Sequence, residues 1–304
     1  MKYLLTERTL GSSVTIKITE QEYKKIKTAK NNLLEIFYIE EKFDILIGNY
    51  LEFELDLLKY AAHHMVRGSG THTELHRGLN QITRRIINLL STGRLYLDQS
   101  IHNLNNIPSI KSINIEEIKK EKNKQYDQYL GYRVMEALRN YVQHRGYPIQ
   151  SLTYNNKLVG KDSNERYLFS ITPYIQVQEF EKDNKFKKEV LKEIKLLGEK
   201  VDLKPLMREY VEALWNIHAK IRELLKSDIL EWEQLFQNTI ERLQSKNSKI
   251  RSIIGLSAVK QNEDGSYIDS IEIDKFIIEY RQELQRKNST FVNLSKRYVT
   301  NEII

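Results

Sequence analysis

The 304-residue chain carries 48 Lys and Arg against 41 Asp and Glu, a formal net charge of +7, with 40% apolar residues, 12 Gly and 4 Pro. That apolar content builds a sizeable core and excludes global disorder, and the scarcity of turn residues excludes a β-sandwich or a fibre, leaving a helix-rich globular chain of one elaborated or two ordinary domains. The absence of cysteine excludes disulfides, thiolate zinc sites and cysteine nucleophiles; with no signal-peptide run and no stretch of about 18 apolar residues, a soluble cytoplasmic protein without membrane association is expected.

Residues 13 to 18 alternate as a short strand, and Thr19 followed by Glu20 and Glu22 opens a helical stretch. From Leu51 the positions Leu51, Leu55, Leu58, Ala62 and Met65 fall on one helix face, and Gly68-Ser69-Gly70 stops that helix. A longer helix follows, with the stripe Leu79, Ile82, Ile86, Leu90, Gly93, Leu97 and Ile101. Residues 111 to 125 read as a Lys/Glu/Asn-rich connection, and 126 to 145 as a helix burying Tyr126, Leu130, Val134, Leu138 and Tyr141, closed by Gly146 as a C′ glycine and by Pro148.

Beyond it, 149 to 159 and 166 to 177 read as strands, with breaks at Asn155-Asn156 and 161 to 164, and a helix is predicted near 182 to 196. Asp202 is a candidate N-cap with Pro205 in the first turn, followed by the stripe Leu206, Tyr210, Leu214, Ile217, Ile221 and Leu224. A further helix near 229 to 246, two strands from Ser252 to Val259 and Tyr267 to Ile273 around Asp264-Gly265, a helix near 274 to 287 and a basic tail complete the chain.

The segment that carries chemistry is Leu138-Arg139-Asn140-Tyr141-Val142-Gln143-His144-Arg145-Gly146. At about 100° per residue, Arg133, Glu136, Asn140, Gln143 and His144 fall away from the apolar stripe, and Arg139 and His144 lie roughly 140° apart. One straight helix cannot close both onto one small atom; either the last turn unwinds at Gly146, or a symmetric second copy presents the same face, which argues for a homodimer. His144, in the last turn, can act as general acid or base, with an imidazolium favoured there by the helix dipole. Arg139 can fork onto two phosphate oxygens, and Asn140 can orient the imidazole or meet ribose hydroxyls. The set requires no metal and no cofactor. The competing structural reading is an exposed helix end on which Arg139 pairs with Glu136.

With Arg139, Asn140, three intervening residues and His144, the segment resembles the HEPN superfamily in the Arg-Asn form of its motif. The resemblance spans about 50–247 and is strongest over 130–147. It implies a mainly α fold, a four- or five-helix bundle that dimerises around a composite site, and a metal-independent endoribonuclease in which Arg139 binds the phosphate and His144 moves the proton. It further implies a 2′-hydroxyl nucleophile and a cyclic phosphate product. Such enzymes are commonly toxins or antiviral defence effectors, so the implied partners are RNA, a second copy and an inhibitor or antitoxin protein. In family members silenced by nucleotidylation, a Tyr stands two residues after the His. Here that position is Gly146, with Tyr147 one later, so control by that modification is not implied.

Arg145, Arg84 and Arg85 are candidate substrate-binding residues, with Arg94 and Tyr96 nearby for backbone contact and base stacking, although Arg94 with Asp98 also fits ordinary helix pairing. His63, His64, His72, His76 and His102 cluster in sequence; His72 and His76, four apart, admit a metal with His63 or His64 as third ligand, but no His-Glu-x-x-His pattern is present and a polar helix junction is preferred. His218 reads as a semi-buried packing residue. No phosphate loop, dinucleotide-binding glycine pattern or nucleophile elbow occurs. The expected organisation is an N-terminal strand and helix (1–48), a HEPN-like helical core (49–147), a β-containing insertion (148–200), packing helices (201–247) and a C-terminal hairpin and helix (248–304). The alternative function is a non-catalytic HEPN-like module that binds RNA or a protein through the same face; a histidine-ligated metal hydrolase is a third, weaker reading.

Overall fold

A computed structural model describes residues 1–7, 15–68, 70–110, 112–160, 165–246, 255–297 and 299. These residues are mainly helical, with small antiparallel sheets. In chain order they form β1 (Lys2–Glu7), β2 (Thr15–Lys17), α1 (Glu20–Arg67), α2 (His72–Asn105), α3 (Ser112–Gln128), α4 (Leu130–His144), β3 (Ser151–Val159), β4 (Arg166–Gln176), α5 (Val177–Glu181), α6 (Lys188–Lys195), β5 (Lys200–Asp202), α7 (Leu203–Gln244), β6 (Leu256–Gln261), β7 (Tyr267–Glu272) and α8 (Phe276–Lys287). No described helix is long and apolar enough to cross a membrane.

The local signals set several boundaries. Thr19 and Glu22 form a reciprocal capping box, with the Thr19 N–H donating to Glu22 Oε2 (2.7 Å) and the Glu22 N–H to Thr19 Oγ1 (3.1 Å). Asp202 accepts from the Lys204 N–H at 2.9 Å where α7 begins, and Gly265 takes the positive φ of 88° that the β6–β7 turn needs.

Other boundaries differ from the sequence reading. Residues 112–128 are a helix rather than a connection, because Glu116, Glu117 and Glu121 pair with lysines one turn on while Ile115 and Ile118 are buried. The helix expected over 126–145 is interrupted at Tyr129, whose extended backbone (φ −108°, ψ 117°) separates α3 from α4. Gly146 follows α4 without a left-handed conformation, and Asn155-Asn156 lies inside β3, not at a break. The helices expected at 203–224 and 229–246 are one helix of 42 residues, because Leu225 and Ile229 carry the buried face across the gap. Residues 13–14, 161–164 and 252–254 of the expected strands and turns lie outside the described residues.

The chain divides into two units, with α1, α2, α3 and α7 each supplying residues to both. The first comprises residues 1–41, 99–115 and 221–289. Its sheet runs β2-β1-β6-β7, all antiparallel, and Leu5, Ala258 and Ile271 from the strands are buried with Leu33, Ile36 and Phe236 from the helices. Charged pairs are drawn in at its edges: Arg222 forks onto Glu40 (2.9 and 2.6 Å) and Arg281 bonds Glu233 (2.7 Å).

The second unit comprises residues 42–98, 116–220 and 290–304. Its sheet runs β3-β4-β5, with β3 and β4 paired from Ser151↔Tyr174 to Val159↔Arg166. The helical core holds Phe43, Phe53, Ile82, Ile86, Tyr96, Tyr132, Leu138 and Tyr210. The Leu79–Ile101 stripe faces inward through Ile82, Ile86, Leu90 and Leu97, and a Cβ at Gly93 would collide with the Tyr210 hydroxyl. On α1, however, Leu51, Leu55, Leu58, Ala62 and Met65 face outward, and Phe43, Leu46, Tyr50, Phe53 and Leu57 turn in. The inward face is bulkier and more aromatic. His218 is fully buried rather than half-buried, stacked 4.0 Å from Phe43 with Nδ1 2.8 Å from the Tyr96 hydroxyl; Tyr96 is therefore not available for base stacking.

Candidate functional site

Helix α4 is held at its start by backbone approach. The Gly131 N–H donates to Glu209 Oε2 (2.8 Å), and a Cβ at Gly131 would run into the Leu206 carbonyl on α7, so only glycine fits. Arg133 fastens the α3–α4 break, donating to the Tyr126 and Asp127 carbonyls (2.7 Å each) and to Glu193 of α6. Tyr132, Val134, Met135 and Leu138 bury the inner face. The Tyr132 ring lies 5.5 Å from that of Tyr210, and burial raises both phenol pKa values, keeping them neutral.

The outer face of α4 lines a cavity of about 510 Å³. Glu136, Asn140, Tyr141, His144 and Arg145 line it from the helix side, and Asp183, Lys185, Phe186 and Lys187, before α6, line it from the other, with Tyr126 and Arg133. Aromatic packing brings the 183–187 segment in: Tyr141 meets Phe180 edge-on (4.8 Å), and Phe180 stacks on Phe186 (4.7 Å). Among the charged lining residues, Arg133, Arg145, Lys185 and Lys187 outnumber Glu136 and Asp183. Several are partnered. Arg145 Nε lies 3.5 Å from Asp183, Lys187 bonds the Tyr126 hydroxyl and sits 4.8 Å over its ring, and Glu136 lies 3.7 Å from Arg94. His144 is exposed.

Asn140, His144 and Arg145 thus share one cavity, but Arg139 does not line it. Arg139 is half-buried, with its Nε shielded from solvent and unpartnered and its Nη1 donating to Asn140 Oδ1 at 3.3 Å. The Asn140 amide is therefore tied to Arg139 and not to the imidazole. The Arg139–Glu136 ion pair of the competing structural reading does not form; Glu136 lies against Arg94 instead, and Arg94 also holds Asp98 at 2.7 Å. Because α4 is helical to His144, the last turn does not unwind, and Arg139 and His144 keep their roughly 140° separation.

Arg84 and Arg85 do not line this cavity. Arg84 bonds Gln81, and Arg85 is held by Asp56 (2.7 Å) and Glu52, so its charge is neutralised within the chain. The residues that motif reading missed are Lys185, Phe186 and Lys187; they lie some forty positions from Arg145 in a segment without a local signature, and only the Phe180/Phe186 spacing hinted at packing.

Of the clustered histidines, His63 and His64 line a second cavity of about 320 Å³ with Arg67, Glu74, Arg77 and Tyr154, whereas His72 and His76 are outside it. His64 is buried with its ring edge-on to Tyr154 and Phe169. Among the described residues no group of three or more His, Asp or Glu side chains is disposed to hold a metal. No family model matches the chain, and neither a curated protein nor a solved structure shows significant similarity to it.

Proposed function

We propose that this chain is a metal-independent endoribonuclease of HEPN type, a toxin or antiviral effector, whose active site is completed by a second copy. The observation that carries the reading is the cavity on α4, where an exposed imidazole, His144, shares a wall with Asn140 and Arg145 and faces Lys185, Phe186 and Lys187, with the rings of Tyr126 and Tyr141 in the same lining. Cations that track a phosphate backbone, interleaved with rings on which bases stack, are the chemistry of single-stranded RNA binding. Within one chain Arg139 stands off that cavity, and a two-fold partner offering its own α4 supplies the guanidinium instead.

In this mechanism the 2′-oxygen of the bound nucleotide attacks the adjacent phosphorus, and the bond from phosphorus to the departing 5′-oxygen breaks. His144 takes the 2′-hydroxyl proton and solvent water protonates the departing 5′-oxygen, so that a 2′,3′-cyclic phosphate and a 5′-hydroxyl end result. Arg139 forks onto the nonbridging oxygens and stabilises the charge that builds there. Because no step calls on a divalent ion, cleavage of a mixed RNA pool in excess EDTA is the test. The parent yields cyclic-phosphate ends and Arg139→Ala/His144→Ala does not. Equal cleavage by both, or none by either, refutes the assignment.

A non-catalytic module that binds RNA or protein through the same face is favoured by one observation, that Arg139 and His144 do not converge within one chain. Such a module binds RNA without cleaving it, and His144→Ala changes only its affinity.

A further inference from the structure

The cavity of about 320 Å³ at the end of α1 shares no lining residue with the one on α4. Helix spacing builds most of its wall: Lys59, His63 and Arg67 stand four apart on α1, with Tyr60 and His64 four apart beside them, so one stretch of helix presents a charged row and an aromatic row. Glu74 and Arg77 of α2 and Tyr154 of β3 line it as well. Lys59, Arg67 and Arg77 are exposed and make no ion pair or hydrogen bond among the described residues, whereas Arg85, Arg94, Arg133 and Arg208 of the same unit each hold a carboxylate. The one carboxylate of this lining, Glu74, is already engaged. It accepts from the Thr71 N–H (2.7 Å) and hydroxyl (3.2 Å) at the start of α2, and these bonds, with the charges of Arg77 and Arg67, hold it below its ordinary pKa. The inner wall is aromatic: His64 is buried and Tyr60 and Tyr154 are half-buried. A Cβ at Gly78 would collide with the Tyr154 hydroxyl, so that ring lies directly against α2. Neither ring nitrogen of His64 has a hydrogen-bond partner among the described residues. A buried imidazole without a partner is costly, and the cavity it lines is the side from which a ligand can supply one.

We propose that this cavity binds a small phosphate monoester with a flat, nitrogen-bearing aromatic body. The phosphate lies at the exposed cations Lys59, Arg67 and Arg77, and the ring packs against Tyr60 and Tyr154 with a polar edge toward the His64 imidazole. Two guanidinium forks and an ammonium suit a dianionic phosphate better than a single carboxylate, and aromatic side chains favour a flat partner by offset or edge-on packing. The volume stands near the lower end of the roughly 300–1,000 Å³ of small-molecule sites, which suits one ring system with its phosphate. Because charge lies at the mouth and aromatic surface inside, neither half of such a ligand alone satisfies the site.

This site does not rest on the ribonuclease reading, and the two fail separately: one is read by titration without RNA, the other by RNA ends. The full chain is titrated calorimetrically with the four nucleoside 5′-monophosphates and pyridoxine 5′-phosphate, then with the unphosphorylated nucleosides and pyridoxine, and with inorganic phosphate. At least one ester is expected to bind with a Kd below about 1 mM, and its unphosphorylated counterpart and inorganic phosphate each at least tenfold more weakly. Arg67→Ala/Arg77→Ala weakens that ester at least tenfold with an unchanged far-ultraviolet spectrum, because both side chains are exposed. Lys119→Ala/Lys120→Ala removes the same charge from α3, outside the cavity, and leaves the affinity as it was. In a proton–nitrogen spectrum of the histidine rings, the His64 signal, identified by its loss in His64→Gln, shifts when the ester is added. No binding by any ester up to about 1 mM, inorganic phosphate binding as tightly as the esters, equal losses in the two double variants, or a His64 signal that does not move would overturn the proposal.

Discussion

Co-expression of Arg139→Ala and Asn140-intact, His144→Ala chains in one cell is expected to return activity that neither variant has alone. Arg139 and His144 stand five positions apart on a helix that stays regular through its last turn, and only His144 of the two reaches the cavity. A site built from Arg139 of one copy and His144 of the other therefore loses its guanidinium in one homodimer and its imidazole in the other. Loss of the general acid–base group costs about 10² to 10⁴ in rate, and loss of a charge-stabilising donor about 10² to 10³. In a mixed dimer, one of the two sites carries both substitutions and the other carries neither. Random pairing makes half the dimers mixed, and each has one parental site, so about a quarter of the parental activity returns. The assay is release of a fluorophore from a quenched RNA in EDTA by the co-purified mixture, with each variant alone as baseline. A mixture no more active than its better component, in a sample where mass spectrometry detects the mixed dimer, would refute the trans arrangement.

Three stability predictions follow from the same geometry. Gly131→Ala forces a methyl into the Leu206 carbonyl and is expected to cost about 1–3 kcal/mol, read as a lowered urea midpoint; an unchanged midpoint would mean that α4 does not lie against the α7 backbone. Thr19→Ala removes one half of the capping box and is expected to cost about 1 kcal/mol, with earlier amide exchange in the first turn of α1. For Asp56, burial pushes the carboxyl up, but the hydrogen bonds from Arg85 and Gln81 prevail and hold it below its ordinary value. A carboxylate with a depressed folded pKa contributes stability above about pH 4 and loses it as pH falls through the folded value. Asp56→Asn is therefore less stable than the parent at pH 7, and the gap closes on acidification; a gap that widens as pH falls contradicts the pairing.

The parts of this chain that were legible in its sequence are those encoded within a turn or two of backbone. The Thr19/Glu22 box, the Gly265 turn, the inward stripe of α2 and the long apolar face of α7 each depend on residues three, four or seven apart. The polar face of α4 is of the same kind, since helical rise alone puts Asn140 and His144 together and Arg139 apart. Two errors have different causes: charge was read as irregularity in the Lys- and Glu-rich stretch of α3, which is helical because its charges pair along the helix while Ile115 and Ile118 turn inward, and periodicity ran through Tyr129, whose extended backbone breaks the helix.

By itself the sequence determined the helical class, most element positions and the residue types on the α4 face, because capping, periodicity and turn geometry are local and need no partner. Tertiary structure decided which of the two apolar faces of α1 is covered, because the aromatic and aliphatic residues at Phe43, Phe53 and Leu57 bury more surface than the leucines opposite them. It also decided that Arg94 rather than Arg139 takes Glu136, and that Lys185, Phe186 and Lys187 stand across from His144. Those outcomes depend on packing between segments far apart in the chain, where burial is a competition among surfaces and no short window of sequence contains all the competitors.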